Sequence, residues 1–141
     1  MKVRRSVKSD LPAILKMARK LWPDVKAADI FKTKFIFYVA EDGDRLIGFM
    51  MLSVRKDYVE GSVTSPVGYV EGIFVEKPHR KKRVARRLVQ AAEAWCVKKG
   101  FTELGSDVEF RNKISQRFHS RTGFVKSDLI VHYIKKVRPN R

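Results

Sequence analysis

The sequence predicts one α/β domain built on a mixed sheet with helices covering its faces. Three observations carry that expectation. Apolar residues alternate between strand-like and helical spacing in the order β-α-α-β-β-β-α-β-α-β, turn residues mark each change, and 141 residues suffice for a single core. The domain is expected over 1–137, with "RPNR" at 138–141 as a short basic tail.

"KVRRSV" at 2–7 reads as a first strand. In "SDLPAILKMARKLW", Ser9 or Asp10 suits a helix start, and Pro12 is tolerated in the first turn. Leu11, Ile14, Leu15, Ala18 and Leu21 or Trp22 then form an apolar stripe, and Pro23 ends it. A weaker helix is expected over 25–34. "FIFYVAEDGDRLIGFMMLSV" reads as a hairpin, with Gly43 in the tight turn. The next strand, Val67 to Val75, is interrupted by Gly68 and Gly72; interior glycines often mark a bulge or a close backbone approach.

Val84, Leu88, Ala91 and Trp95 recur at helical spacing from about Arg83 to Lys99. Gly100 is the natural stop, after Lys98 and Lys99 at the negative helix end. "FTELGSDV" is a strand, "NKISQRFHSRTGF" a short helix, and "LIVHYIKKV" a final strand, with a further short strand possible over 124–126.

Composition narrows the function classes. Hydrophobic content of 44% argues against disorder, and a formal charge of +16 draws polyanions. Lone Cys96 rules out an internal disulfide framework and suits a reducing, cytoplasmic setting. The longest strand-like apolar run, "FIFYVA", is too short to span a membrane, and "MKVRRSVKSD" lacks a secretory core. His79 and His132 have no companions at metal-ligand spacing, so no metal is expected.

Seven Lys or Arg residues fall between Lys77 and Arg87, where a strand leads into a helix. Free N–H groups and the dipole make such a helix start an anion site, and a pyrophosphate fits its size. A nucleic-acid patch is the alternative, although no DNA- or RNA-binding motif accompanies it.

The strand-turn-helix resembles the acetyl-CoA site of GNAT-fold N-acetyltransferases. "RKKRVA" meets their signature at Arg80 and Ala85, while Arg83 stands where the first glycine is expected. "LWP", "DYVEG", "SPV", "EGIFV", "SD" and "NKISQ…H…GF" extend the resemblance to aminoglycoside 6′-N-acetyltransferases over nearly the whole chain. It implies a mostly antiparallel central sheet, acetyl-CoA as co-substrate and a homodimer. The acceptor amine would be an aminoglycoside's, with a polyamine or protein amine as the alternative.

The resemblance also assigns roles. The backbone of Ile73, Phe74 and Val75 would hold the pantetheine arm and thioester, and Asn112 would bond that arm. Arg80, Lys81, Lys82, Arg83, Val84, Ala85 and Arg86 would take the pyrophosphate. Trp22, Tyr58, Glu71, Asp107 and Asp128 would form the acceptor pocket. Glu71 is the expected general base, and His119 replaces the tyrosine that many GNAT enzymes use to protonate the departing thiolate.

Overall fold

A computed structural model describes residues 1–137 of the chain. Five strands, β1 (Lys2–Arg5), β2 (Phe35–Asp42), β3 (Arg45–Arg55), β4 (Val67–Val75) and β5 (Leu104–Ser106), form one sheet in chain order. The first four are antiparallel neighbours, and β5 joins β4 in parallel. Helix α1 (Leu11–Leu21) and the single turn α2 (Ala27–Ile30) lie on one face. Helix α3 (Val84–Lys99) covers the other, and α4 (Lys113–Arg121) follows β5.

Both sheet faces are buried, which explains the unbroken apolar run of β3. Met50 and Leu52 point to α3 and pack with Val84, Leu88, Val89, Ala92, Trp95 and Cys96. Phe49 and Met51 point to α1 and pack with Ile14, Met17 and Ala18. On α3 the inward stripe is completed by Ala92 rather than Ala91. Burial pushes the Cys96 thiol up to about 11, so it is an inert core group.

Several expectations need correction. Asp10 precedes α1 but does not cap it through its side chain. Its carboxylate instead takes Arg4 Nη1 and Nη2 at 2.8 and 3.0 Å and the Val7 N–H at 2.7 Å, which holds it below the usual carboxylate range. The second helix is only four residues long, and β5 only three.

The final strand expected at 129–137, and the short one near 124–126, do not form. Residues 129–137 lie exposed, Tyr133 at 91% and Ile134 at 98%. Ser127 packs against Gly61, within 2.9 Å of where a β-carbon would stand there, and so draws the chain toward that loop. β-rich composition states what a segment does beside a sheet edge; it does not supply the edge. The basic tail expected at 138–141 lies outside the described residues.

Candidate active site

β4 and β5 run together only from Gly68–Val70 against Leu104–Ser106. Beyond that point β4 continues through Glu71, Gly72, Ile73, Phe74 and Val75 with no strand on that side among the described residues. Unpaired backbone at such a fork is available to an extended ligand. The β3–β4 register also jumps here: Met51 faces Gly72 while Leu52 faces Val70, leaving Glu71 as the extra residue of a bulge. A bulge bends its strand and re-aims a side chain, and this one aims Glu71.

Glu71 meets two residues of β3. Ser53, itself buried, donates its hydroxyl to Oε2 at 2.5 Å, and Arg55 donates Nη2 to Oε1 at 2.8 Å and Nε to Oε2 at 3.1 Å. That pairing raises the Arg55 pKa. The guanidinium lies 3.6 Å from the centroid of the Tyr69 ring. The Tyr69 hydroxyl donates to Asp107 Oδ2 at 2.6 Å. Burial, reinforced by this bond, pushes the phenol upward, so Tyr69 stays a donor at neutral pH.

Trp22, at the end of α1, lies across Gly72: a β-carbon there would stand 2.6 Å from Cζ2 and closer still to Cη2. Glycine at 72 is thus what lets the indole reach the strand beside Glu71. The loop bearing Tyr58 packs on β5 through Val59, which touches the Gly105 position two residues before Asp107. Tyr58 is exposed and donates to Glu60 at 3.1 Å, the bond chiefly responsible for raising its pKa; Asp128 contributes to the same rise electrostatically. Trp22, Glu71 and Asp107 therefore gather at the fork, with Tyr58 and Asp128 at its outer rim.

At the other end of β4, the Arg80 side chain turns back, Nε donating to the Val75 carbonyl at 2.8 Å. Lys81 and Arg83 both have left-handed backbones, with φ of 62° and 66°. Arg83 occupies the position before α3 without a side-chain cap, so the first N–H groups of that sixteen-residue helix have no such partner. Left-handed geometry is what glycine accepts most easily, and an arginine held there stores strain of about 1–3 kcal/mol. The backbone at Arg83 thus takes the conformation that the expected glycine would favour. Lys81, Lys82, Arg83 and Arg86 are all solvent-exposed around it, and Val84 and Ala85 open the helix. These groups fit a diphosphate in both charge and donor supply.

α4 borders the fork. Asn112 caps it, Oδ1 accepting from the Ser115 N–H at 3.0 Å, which leaves the amide NH2 as its donor. His119 Nδ1 lies 2.8 Å from the Ser115 carbonyl, and Nε2 lies 2.8 Å from Ser106 Oγ. A carbonyl can only accept, so Nδ1 carries hydrogen and Nε2 of the neutral ring accepts from Ser106. Ser106 is the last residue paired between β5 and β4, which sets His119 behind the fork's apex. Among the described residues no group of three His, Cys, Asp or Glu side chains could hold a metal ion.

Sequence reasoning missed Ser53, Arg55, Tyr69 and Ser106. Ser53 and Arg55 are same-face neighbours at the polar end of an apolar strand, the one local signal that marks them. Their link to Glu71 depends on the β3–β4 register, where Ser53 faces Tyr69.

Comparison with known proteins bears on this geometry. Residues 9–124 match the model of the acetyltransferase (GNAT) family. The chain is 32% identical to an aminoglycoside N(6′)-acetyltransferase type 1 from Acinetobacter haemolyticus, covering 97% of this chain and 99% of that one. It is 33% identical to the protein of the same name from Salmonella typhimurium, covering 96% and 99%. Among solved structures, the apo 6′-N-acetyltransferase of A. haemolyticus superposes with a TM-score of 0.87 at 30% identity, over 98% of this chain and 100% of that one. AAC(6′)-Iy in complex with the bisubstrate analogue CoA-S-monomethyl-acetylneamine superposes with a TM-score of 0.89 at 31% identity, over 96% and 98%.

Proposed function

This chain belongs to the GNAT family of acetyltransferases, and on that premise we propose that it transfers the acetyl group of acetyl-CoA to the 6′-amine of an aminoglycoside. The observation that carries the reading is the fork between β4 and β5, with a basic, uncapped helix start at one end and two carboxylates at the other. Such a site takes a long anionic donor and a cationic acceptor side by side. Holding both reactants in register can supply about 7–11 kcal/mol of the barrier reduction in favourable cases.

In this reading Arg80, Lys81, Lys82, Arg83, Val84, Ala85 and Arg86 hold the diphosphate through side chains and helix N–H groups. The free edge of Ile73, Phe74 and Val75 aligns the pantetheine arm, the Asn112 amide donates to it, and a β4 N–H stabilises charge developing on the carbonyl oxygen. Glu71 draws the ammonium in and removes its proton, directly or through a water. Trp22 forms the wall beside it, and Asp107, Tyr58 and Asp128 take the remaining amines. His119 is assigned as the proton donor for the departing thiolate, a role it fills as the imidazolium, with Nε2 also protonated and its proton relayed through Ser106 Oγ.

The single domain is assigned to 1–137. A homodimer in the cytoplasm completes the proposal. The dimer is supported by the exposed apolar residues of 129–137, which one chain leaves unpaired; the compartment is supported by a buried, unpaired Cys96. No helix among the described residues is long and apolar enough to cross a membrane.

The test is thiol release from acetyl-CoA across several aminoglycosides and a polyamine, with the acetylated nitrogen located by NMR. Turnover of aminoglycosides at the 6′ nitrogen is expected. Turnover of the polyamine alone would transfer the reaction to another amine, and absence of saturable acetyl-CoA binding would sink the proposal.

A further inference from the structure

Removing a proton from an acceptor ammonium needs Glu71; it does not need a guanidinium on top of Glu71. Yet Arg55 holds both of its carboxylate oxygens, at 2.8 and 3.1 Å, in the two-pronged geometry that arginine makes with carboxylates. The same guanidinium rests on the Tyr69 ring at 3.6 Å, and Tyr69 is tied to Asp107 at 2.6 Å. One cation thus bonds one inner carboxylate assigned to the acceptor and stacks on the ring that bonds the other. The Arg55 side chain is 42% exposed and that of Glu71 only 18%, so the guanidinium is the outer and the carboxylate the inner member of the pair.

We propose that Arg55 is a built-in competitor of the acceptor: its guanidinium fills the ammonium subsite of the empty enzyme and swings out when a polycationic amine arrives. The inference rests on the reading of Glu71 and Asp107 as acceptor ligands. Two features make the exchange feasible. Arg55 ends β3 on a long, flexible side chain, so it can leave without moving the strand. The Ser53 hydroxyl still holds Glu71 Oε2 at 2.5 Å after Arg55 has gone, so the carboxylate keeps its orientation. A monoamine must displace Arg55 with a single charge. A polyamine engages Asp107 and Asp128 at the same time and offsets the loss of the internal pair. Arg55 therefore raises the threshold for every acceptor, and an acceptor with one amine has no second contact with which to clear it.

The test compares the wild type with Arg55→Gln and Arg55→Lys, using calorimetry and steady-state kinetics. The probes are neamine, as a polycation, and 6-amino-6-deoxyglucose, as a sugar with one amine. A partly exposed ion pair is worth up to about 1 kcal/mol, so Arg55→Gln should tighten neamine binding and lower its KM by about fivefold, with kcat changed less than twofold. The single-amine sugar should gain at least as much. Arg55→Lys, which keeps the charge but not the fork, should fall between. Weaker or unchanged neamine binding by Arg55→Gln would overturn the proposal, as would a fall in kcat at constant KM, which would make Arg55 an orienting residue for Glu71. If the wild type binds acetyl-CoA but no neamine, the acceptor reading itself fails and Arg55's role with it. If the wild type binds neamine and Arg55→Gln binds it no more tightly, only the Arg55 proposal falls.

Discussion

Gly72→Ala puts the link between Trp22 and the fork under direct strain. The added methyl carbon would stand 2.6 Å from Trp22 Cζ2, with Cη2 nearer still. Carbon atoms in contact prefer about 3.5–4.0 Å, so the indole has to retreat by about 1 Å or more. Trp22 also leans on Phe49, ring centroids 6.4 Å apart, and Phe49 is fully buried, so the ring cannot retreat inward. Overpacking of this kind costs about 1–3 kcal/mol, and replacing glycine returns about 0.4–1 kcal/mol through the unfolded chain. A net loss of about 1–2 kcal/mol remains, or about 3–6 °C in Tm for a chain of this size. The functional effect should exceed the stability effect, because misplacing a substrate-positioning wall by about 1 Å can cost about 100-fold. Thermal denaturation and acceptor kinetics together make the assay: a lower Tm and a kcat/KM reduced about 10- to 100-fold, at nearly constant acetyl-CoA affinity. An unchanged Tm with unchanged acceptor kinetics would refute the placement of Trp22 as a wall of the site.

Four further outcomes are expected. Glu71→Gln should lower turnover about 100-fold or more while acetyl-CoA affinity, read by calorimetry, stays nearly constant; undiminished turnover would remove Glu71 as the base. Asp107→Asn should raise the aminoglycoside KM about fivefold with a smaller change in kcat, and an unaltered KM would count against its acceptor role. Reversing two charges in the turn, as Arg80→Glu with Lys82→Glu, should weaken acetyl-CoA binding about tenfold or more, whereas equal affinity would dismiss that turn as the diphosphate site. Truncation after Asp128 should convert a dimer to a monomer by light scattering; a full-length chain that already runs as a monomer would end the homodimer proposal.

What the sequence made legible was local. The stripe of Val84, Leu88 and Trp95 defined α3 because side-chain spacing on a helix depends only on neighbours along the chain. Gly43 defined the β2–β3 turn for the same reason, since its φ of 63° is a property of that residue. The bulge beside Gly72 was legible as well, because interior strand glycines mark such places. Non-local pairing was not. "LIVHYIKKV" has the composition of a strand, yet pairing requires an aligned edge, and the edge strand β5 is only three residues long. Arg55 stayed hidden for a related reason. It is sixteen positions from Glu71, and only the register between β3 and β4 brings the two together. The Arg83 departure looked in the sequence like the loss of a motif, whereas its φ of 66° is the left-handed conformation that a glycine there would favour.

The net charge of +16 then ceases to conflict with a cationic acceptor, because field and site act over different distances. At physiological salt the screening length is about 8 Å, so surface charges farther away than that slow an approaching polycation but contribute little once it is seated. Within the fork the balance is local: Glu71 and Asp107 face one competing cation, Arg55, while the lysines and arginines of the turn cluster at the opposite end of β4. On the proposed assignment, separation along a single strand lets one protein attract a diphosphate and an ammonium at once. It also makes Arg55 the charge that matters most to the acceptor, since no other described cation bonds to Glu71 or Asp107.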